Sequence, residues 1–131
     1  MRWLRRWREL PAAERRLVRE ALLELSVVRL ALHLKPLTAL KRRLAPRGRT
    51  VDLPRVAWAV KSAARVVPRA TCLAQALAMQ RMLAKRGCPS KMEVGVARNH
   101  KGLEAHAWLV CDGEVVIGGE EAALFVPLEA P

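Results

Sequence analysis

Between Ala12 and Leu34 the apolar residues Leu17, Val18, Ala21, Leu22, Leu25, Val28 and Leu32 return at steps of three and four. That period is the signature of an amphipathic helix, and Pro11 stands where a helix start tolerates proline. Pro36 ends the pattern, Leu37 to Leu44 predicts a second, short helix, and Pro46-Arg47-Gly48-Arg49 reads as a basic linker. Asp52 ahead of Leu53-Pro54 is an N-cap followed by an early-helix proline. It opens a helix that strings Val56, Ala59, Val60, Ala63 and Val67 along one stripe until Pro68. The next helix, Cys72 to about Arg86, is apolar through Leu73, Ala76, Leu77, Met79 and Leu83, and stops at Gly87, a residue suited to the left-handed turn that closes helices. A helix so apolar belongs at the centre of a core.

After Pro89 the period changes to two. Met92, Val94 and Val96 alternate with Glu93, Gly95 and Ala97, and Asn99-His100-Lys101-Gly102 supplies a turn. A second strand spans Glu104 to Cys111, Asp112-Gly113 is a strong two-residue hairpin signal, and Glu114 to Ile117 forms a third strand. Phe125-Val126-Pro127-Leu128 reads as a further short strand or a strap. Helices first and an antiparallel meander afterwards make an α+β layout.

At 131 residues and 52% hydrophobic the chain is the size of one ordinary domain. We expect a basic helical segment over 1–50 and a core domain over 51–131. Charge marks the division: residues 1–50 hold 14 Lys/Arg against 4 Glu, the remainder 10 against 8 Asp/Glu. Clustered positive charge suits nucleic acid, an anionic membrane surface or an acidic protein partner, and composition does not choose among them. The opening Met1-Arg2-Trp3-Leu4-Arg5-Arg6-Trp7 has the basic character of a signal-peptide start, but Glu24 and Arg29 interrupt the apolar stretch behind it, which argues against secretion or a membrane span. Cys72, Cys88 and Cys111 are too few and too scattered for a disulfide framework and form no CxxC pair, so a reducing cytoplasm is the expected compartment.

Chemistry concentrates at two places. Thr71 is a good N-cap, which sets Cys72 in the first helical turn, where the helix macrodipole favours negative charge. Thirty-four residues on, Ala105-His106-Ala107-Trp108 presents an imidazole from a strand between two small neighbours. A cysteine at the head of an apolar helix is, alone, more often a small buried hydrophobe, and a strand histidine is more often structural. Together they match the arrangement that cysteine acyl-transfer enzymes use on several folds. Trp108 shares a strand face with His106, either shielding it or serving as a core aromatic. Gln75, one turn past Cys72, either assists an oxyanion or bonds locally. His33, His100 and Cys88 read as bystanders.

The segments Thr71-Cys72-Leu73-Ala74-Gln75-Ala76-Leu77, Arg86-Gly87, Glu93-Val94-Gly95-Val96, Ala105-His106-Ala107-Trp108-Leu109 and Val115-Val116-Ile117-Gly118-Gly119 resemble the transglutaminase-like leader peptidase of lasso-peptide biosynthesis. The basic lead-in from Ala13 is similar to the N-terminal helices of its stand-alone form. The resemblance implies a transglutaminase-like, papain-like core and a cysteine protease that removes the leader from a ribosomally made precursor. It implies a separate leader-binding protein and a macrolactam synthetase as partners, and neither metal nor organic cofactor. Cys72 would be the nucleophile and His106 the general base. The family's third residue is an Asp about a dozen positions beyond the His, and here that position is Gly118. Asp112, six residues past His106, is assigned instead. Glu120, a backbone carbonyl or a Gln are the alternatives.

Two readings without catalysis remain. Trp3 and Trp7 among Arg2, Arg5, Arg6 and Arg8 suit base stacking in a nucleic-acid-binding protein, although the charge is confined to the first segment and leaves Cys72 and His106 unexplained. The helix Ala12 to Leu34 also suits docking on anionic lipid or, preferably, on a protein partner.

Overall fold

The computed structural model of the chain describes residues 2–35, 40, 44–46, 50–100, 102–119 and 126–127, without the side chains of Trp3, Asn99, Val126 and Pro127. Four helices, α1 (Arg2–Glu9), α2 (Ala12–Leu32), α3 (Leu53–Ala64) and α4 (Cys72–Lys85), precede four strands, β1 (Lys91–Asn99), β2 (Gly102–Cys111), β3 (Glu114–Ile117) and β4 (Val126–Pro127). The expected α+β order is therefore observed. The helix α1 was not foreseen; its Trp7 packs against the core, with the Arg19 guanidinium over the indole at 6.0 Å. The short helix expected over Leu37 to Leu44 falls largely outside the described residues.

Each helix start has a local cause. Asp52 accepts the amide of Arg55 and Pro54 occupies the first turn of α3, while the Thr71 hydroxyl accepts the amide of Ala74 at 3.2 Å to open α4. Gly87, at φ 70, closes α4 as the sequence predicts. Ala74, Ala76, Leu77, Ala78, Met79, Met82, Leu83 and Ala84 of α4 are all buried, so this helix is the centre of the core. It packs on Val18, Ala21, Leu25 and Val28 of α2, on Val56, Ala59, Val60 and Ala63 of α3, and on β2. No helix among the described residues is long and apolar enough to cross a membrane.

The sheet runs in the order β3-β2-β1-β4 with antiparallel neighbours. Asp112 and Gly113, at φ 52 and 79, form the tight β2–β3 turn, and both positive angles are what a type I′ hairpin requires. The register sets Met92 opposite Leu109 and Val94 opposite Ala107 on the face that meets the helices. Glu93 opposite Trp108, and Gly95 opposite His106, lie on the other face.

Two polar contacts sit inside this packing. Glu24, 4% exposed, bonds Arg81 Nε at 2.6 Å and pairs with Lys85, tying α2 to α4. The sulfurs of Cys88 and Cys111 lie 3.4 Å apart, a meeting that the linear spacing of the cysteines does not reveal. Cys111 also donates to the Pro89 carbonyl, and burial, with the hydrogen bond to Cys88, pushes its thiol up to about 12.

Burial alone would raise the Glu24 carboxyl, but the bonds and charges of Arg81 and Lys85 outweigh it and hold the group below its ordinary value of 4.5. A depressed carboxyl contributes stability that is complete above that value and is lost as pH falls through the folded value. Glu24→Gln should cost about 2–3 kcal/mol at pH 7, less than a fully buried pair because both cations reach solvent, and the gap to wild type should narrow below about pH 4.5. Urea unfolding of both proteins at pH 7 and near pH 4 measures this. Iodoacetamide at pH 8 should leave Cys111 unmodified until the chain is unfolded, as peptide mass spectrometry would read.

Candidate active site

The chain approaches the site through a constrained turn. Arg69 takes a left-handed φ of 58, and the Thr71 amide bonds back to the Arg69 carbonyl at 2.9 Å. Thr71 then secures two first-turn amides, that of Ala74 through its hydroxyl and that of Gln75 through its carbonyl. Gln75 Nε2 donates to the Ala70 carbonyl at 2.8 Å, so Gln75 braces the lead-in from inside the helix. Of the two roles open to it in the sequence, local bonding is the one observed. These bonds leave Cys72 at the first helical position, half-buried.

From there the thiol meets β2. Strand β3 accompanies β2 only from Leu109 to Cys111, which leaves the adjoining edge at Ala107 to other partners. The Ala107 amide donates to Cys72 Sγ at 3.4 Å. That amide belongs to the peptide bond joining His106 to Ala107, so the sulfur rests against the backbone of the histidine itself.

The imidazole is fixed from the strand ends. His106 Nε2 lies 3.0 Å from the Gly118 carbonyl oxygen, just beyond β3. Its ring stacks on Trp108 with centroids 6.1 Å apart and planes 28° from parallel. Trp108 is buried, and its Nε1 donates to Glu93 at 2.8 Å, an anchor the sequence did not reveal. Gly118 has no substitute: its φ is +78, and a Cβ there would come within 2.8 Å of the Ala107 carbonyl and 3.1 Å of Trp108 Cβ. A carbonyl accepts, so Nε2 carries the ring proton and Nδ1 is the nitrogen able to take one.

The sequence-derived residues fall into two groups. Cys72 Sγ reaches the peptide bond after His106 at the edge of β2. Asp112 does not join them: it is exposed in the β2–β3 turn, six strand positions or about 20 Å along from His106, and its conformation serves the hairpin. Asp-Gly chemistry thus explains Asp112, and the Gly118 carbonyl contacts the imidazole from the sequence position where an Asp was expected. Glu120 lies outside the described residues. A cavity of 420 Å³ lined by Leu17, Val51, Arg55, Val56, Lys85 and Arg86 is at the far end of α4, about 20 Å from Cys72 by helical rise, and takes no part in this geometry. Among the described residues no group of His, Cys, Asp and Glu gathers that could hold a metal.

The family described as the transglutaminase-like superfamily matches residues 16–130. No curated protein and no solved structure matches the chain.

Gly118→Ala should lower stability by about 2 kcal/mol, because the added methyl meets backbone and the residue must keep a left-handed φ. Urea unfolding, with the His106 ring signals followed by NMR, tests whether the imidazole moves with it. An unchanged midpoint and unchanged ring signals would show that Gly118 does not shape the site.

Proposed function

The chain belongs to the transglutaminase-like superfamily, and from that premise we propose that it is a cysteine protease that removes the leader from a ribosomally made lasso-peptide precursor. The superfamily includes cysteine proteases and transferases. The observation that carries the reading is the seat of Cys72 Sγ on the peptide bond after His106, with Nε2 of the same imidazole on the Gly118 carbonyl.

In this mechanism His106 Nδ1 takes the Cys72 proton, and the sulfur attacks the carbonyl carbon of the scissile bond. Thr71 already holds the amides of Ala74 and Gln75, so those of Cys72 and Leu73, next to the sulfur at the positive end of α4, face the developing oxyanion. His106 returns its proton to the departing amine, which is the new N-terminus of the core peptide. The leader is left as a thioester on Cys72. His106 then draws a proton from water, the hydroxide attacks the thioester, and the leader leaves as a free acid while the thiol is restored. The Gly118 carbonyl orients the ring throughout, in place of the side-chain acid of the family pattern.

The leader is presented by a separate leader-binding protein, and a macrolactam synthetase uses the freed amine. The resemblance of the Cys72 and His106 segments supports this assignment. The test is mass spectrometry of a lasso-type precursor incubated with the protein and its leader-binding partner. Cys72→Ala and His106→Ala should each slow cleavage by more than about a thousandfold, whereas Asp112→Ala should leave the rate nearly unchanged. Absence of cleavage by folded wild type with its own precursor would overturn the reading, and leader joined to an amine would identify a transferase.

A further inference from the structure

The outward side of α2 carries a second apolar line. Leu23, Val27, Leu30 and Leu34 follow at steps of four, three and four, on the side opposite Val18, Ala21, Leu25 and Val28. Leu34 continues the helical path, its amide bonding the Ala31 carbonyl at 3.0 Å. The four are 63%, 41%, 63% and 84% exposed. A single exposed leucine is ordinary, but a line of four at seam spacing on a helix already buried along its other side is, among the described residues, an unpartnered contact surface.

Charge selects what fits it. All three glutamates of α2 turn toward the body of the protein: Glu14 to Arg55, Glu20 to Arg86, and Glu24 to Arg81 and Lys85. The exposed charges from α1 into the first half of α2 are therefore Arg2, Arg5, Arg6, Arg8, Arg16 and Arg19 against Glu9. Arg16 lies directly in line with the seam. A parallel pair of copies would set Arg16 against Arg16, which opposes that arrangement. These four side chains span about 60° of the helix, narrower than the stripe of about 100° that a helix turns to a core and the width of the seam that a single partner helix fills.

We propose that this face of α2 docks an acidic amphipathic helix from another protein, with apolar side chains interleaved along Leu23, Val27, Leu30 and Leu34 and carboxylates toward the arginines. The seam is about 16 Å long, the length of about one and a half heptads of the partner. This inference does not rest on the proteolytic reading, and either can fail without the other.

The probe is a fluorescent helical peptide with Leu at the a and d positions and Glu at e and g, titrated into the full chain and followed by anisotropy. Its counterpart with Lys at e and g is the control. The acidic peptide should bind saturably and the basic one should not, with affinity falling as salt rises. Leu23→Gln with Leu30→Gln should weaken binding at least about tenfold while leaving the unfolding midpoint unchanged, since both side chains are exposed. Absence of binding, or binding untouched by the double substitution, overturns the proposal. Vesicles of phosphatidylglycerol and phosphatidylcholine that bind where the peptide does not would assign the face to lipid. Dimers in light scattering that vanish in the double variant would assign it to a second copy.

Discussion

The burial of α4 governs the rest of the molecule. Its apolar side chains are enclosed by α2 and α3 on one side and by β2 on the other, so the helix has little freedom to slide or turn. Because Cys72 is its first residue, that packing fixes where the sulfur emerges. The Thr71 cap, the Gln75 bond to Ala70 and the left-handed Arg69 complete the constraint from the N-terminal side. The Cys72 thiol is thus held by the same contacts that make the core.

The sheet supplies the other half. β3 stops pairing with β2 at Leu109, and the chain turns at Gly118, where only a glycine can approach Ala107 and Trp108 so closely. Ending the pairing there frees the Ala107 amide for the sulfur and brings the Gly118 carbonyl to the imidazole. Trp108, anchored by Glu93, keeps the ring plane. An irregular end to one short strand therefore organises both partners of the candidate pair.

Much of this was legible in the sequence. Caps, prolines and Gly87 are local signals, and they located α3 and α4; alternation and Asp112-Gly113 located β1 to β3. The Thr71-Cys72 junction and His106 stood out for the same local reasons. What depends on contacts between distant segments was not legible. The Gly118 carbonyl is backbone chemistry with no residue signature, the Glu93 to Trp108 bond depends on strand register, and the contact of Cys88 with Cys111 depends on how β2 packs beside the loop after α4. Asp112 was assigned to the site as the first acid beyond His106, in place of the family's downstream Asp, yet a turn residue in an extended hairpin lies away from the middle of its strand. The charge break near residue 50 reports surface composition; it does not report that the apolar stripe of α2 shares the core of α3, α4 and β2.

Acid-quenched intact-protein mass spectrometry, taken within the first turnover after mixing the protein with a cognate precursor and leader-binding partner, tests the central claim most directly. The account predicts a covalent adduct of the leader's mass, labile to hydroxylamine, on the peptide containing Cys72. An adduct on Cys88, or cleavage that proceeds with Cys72 replaced, would contradict it.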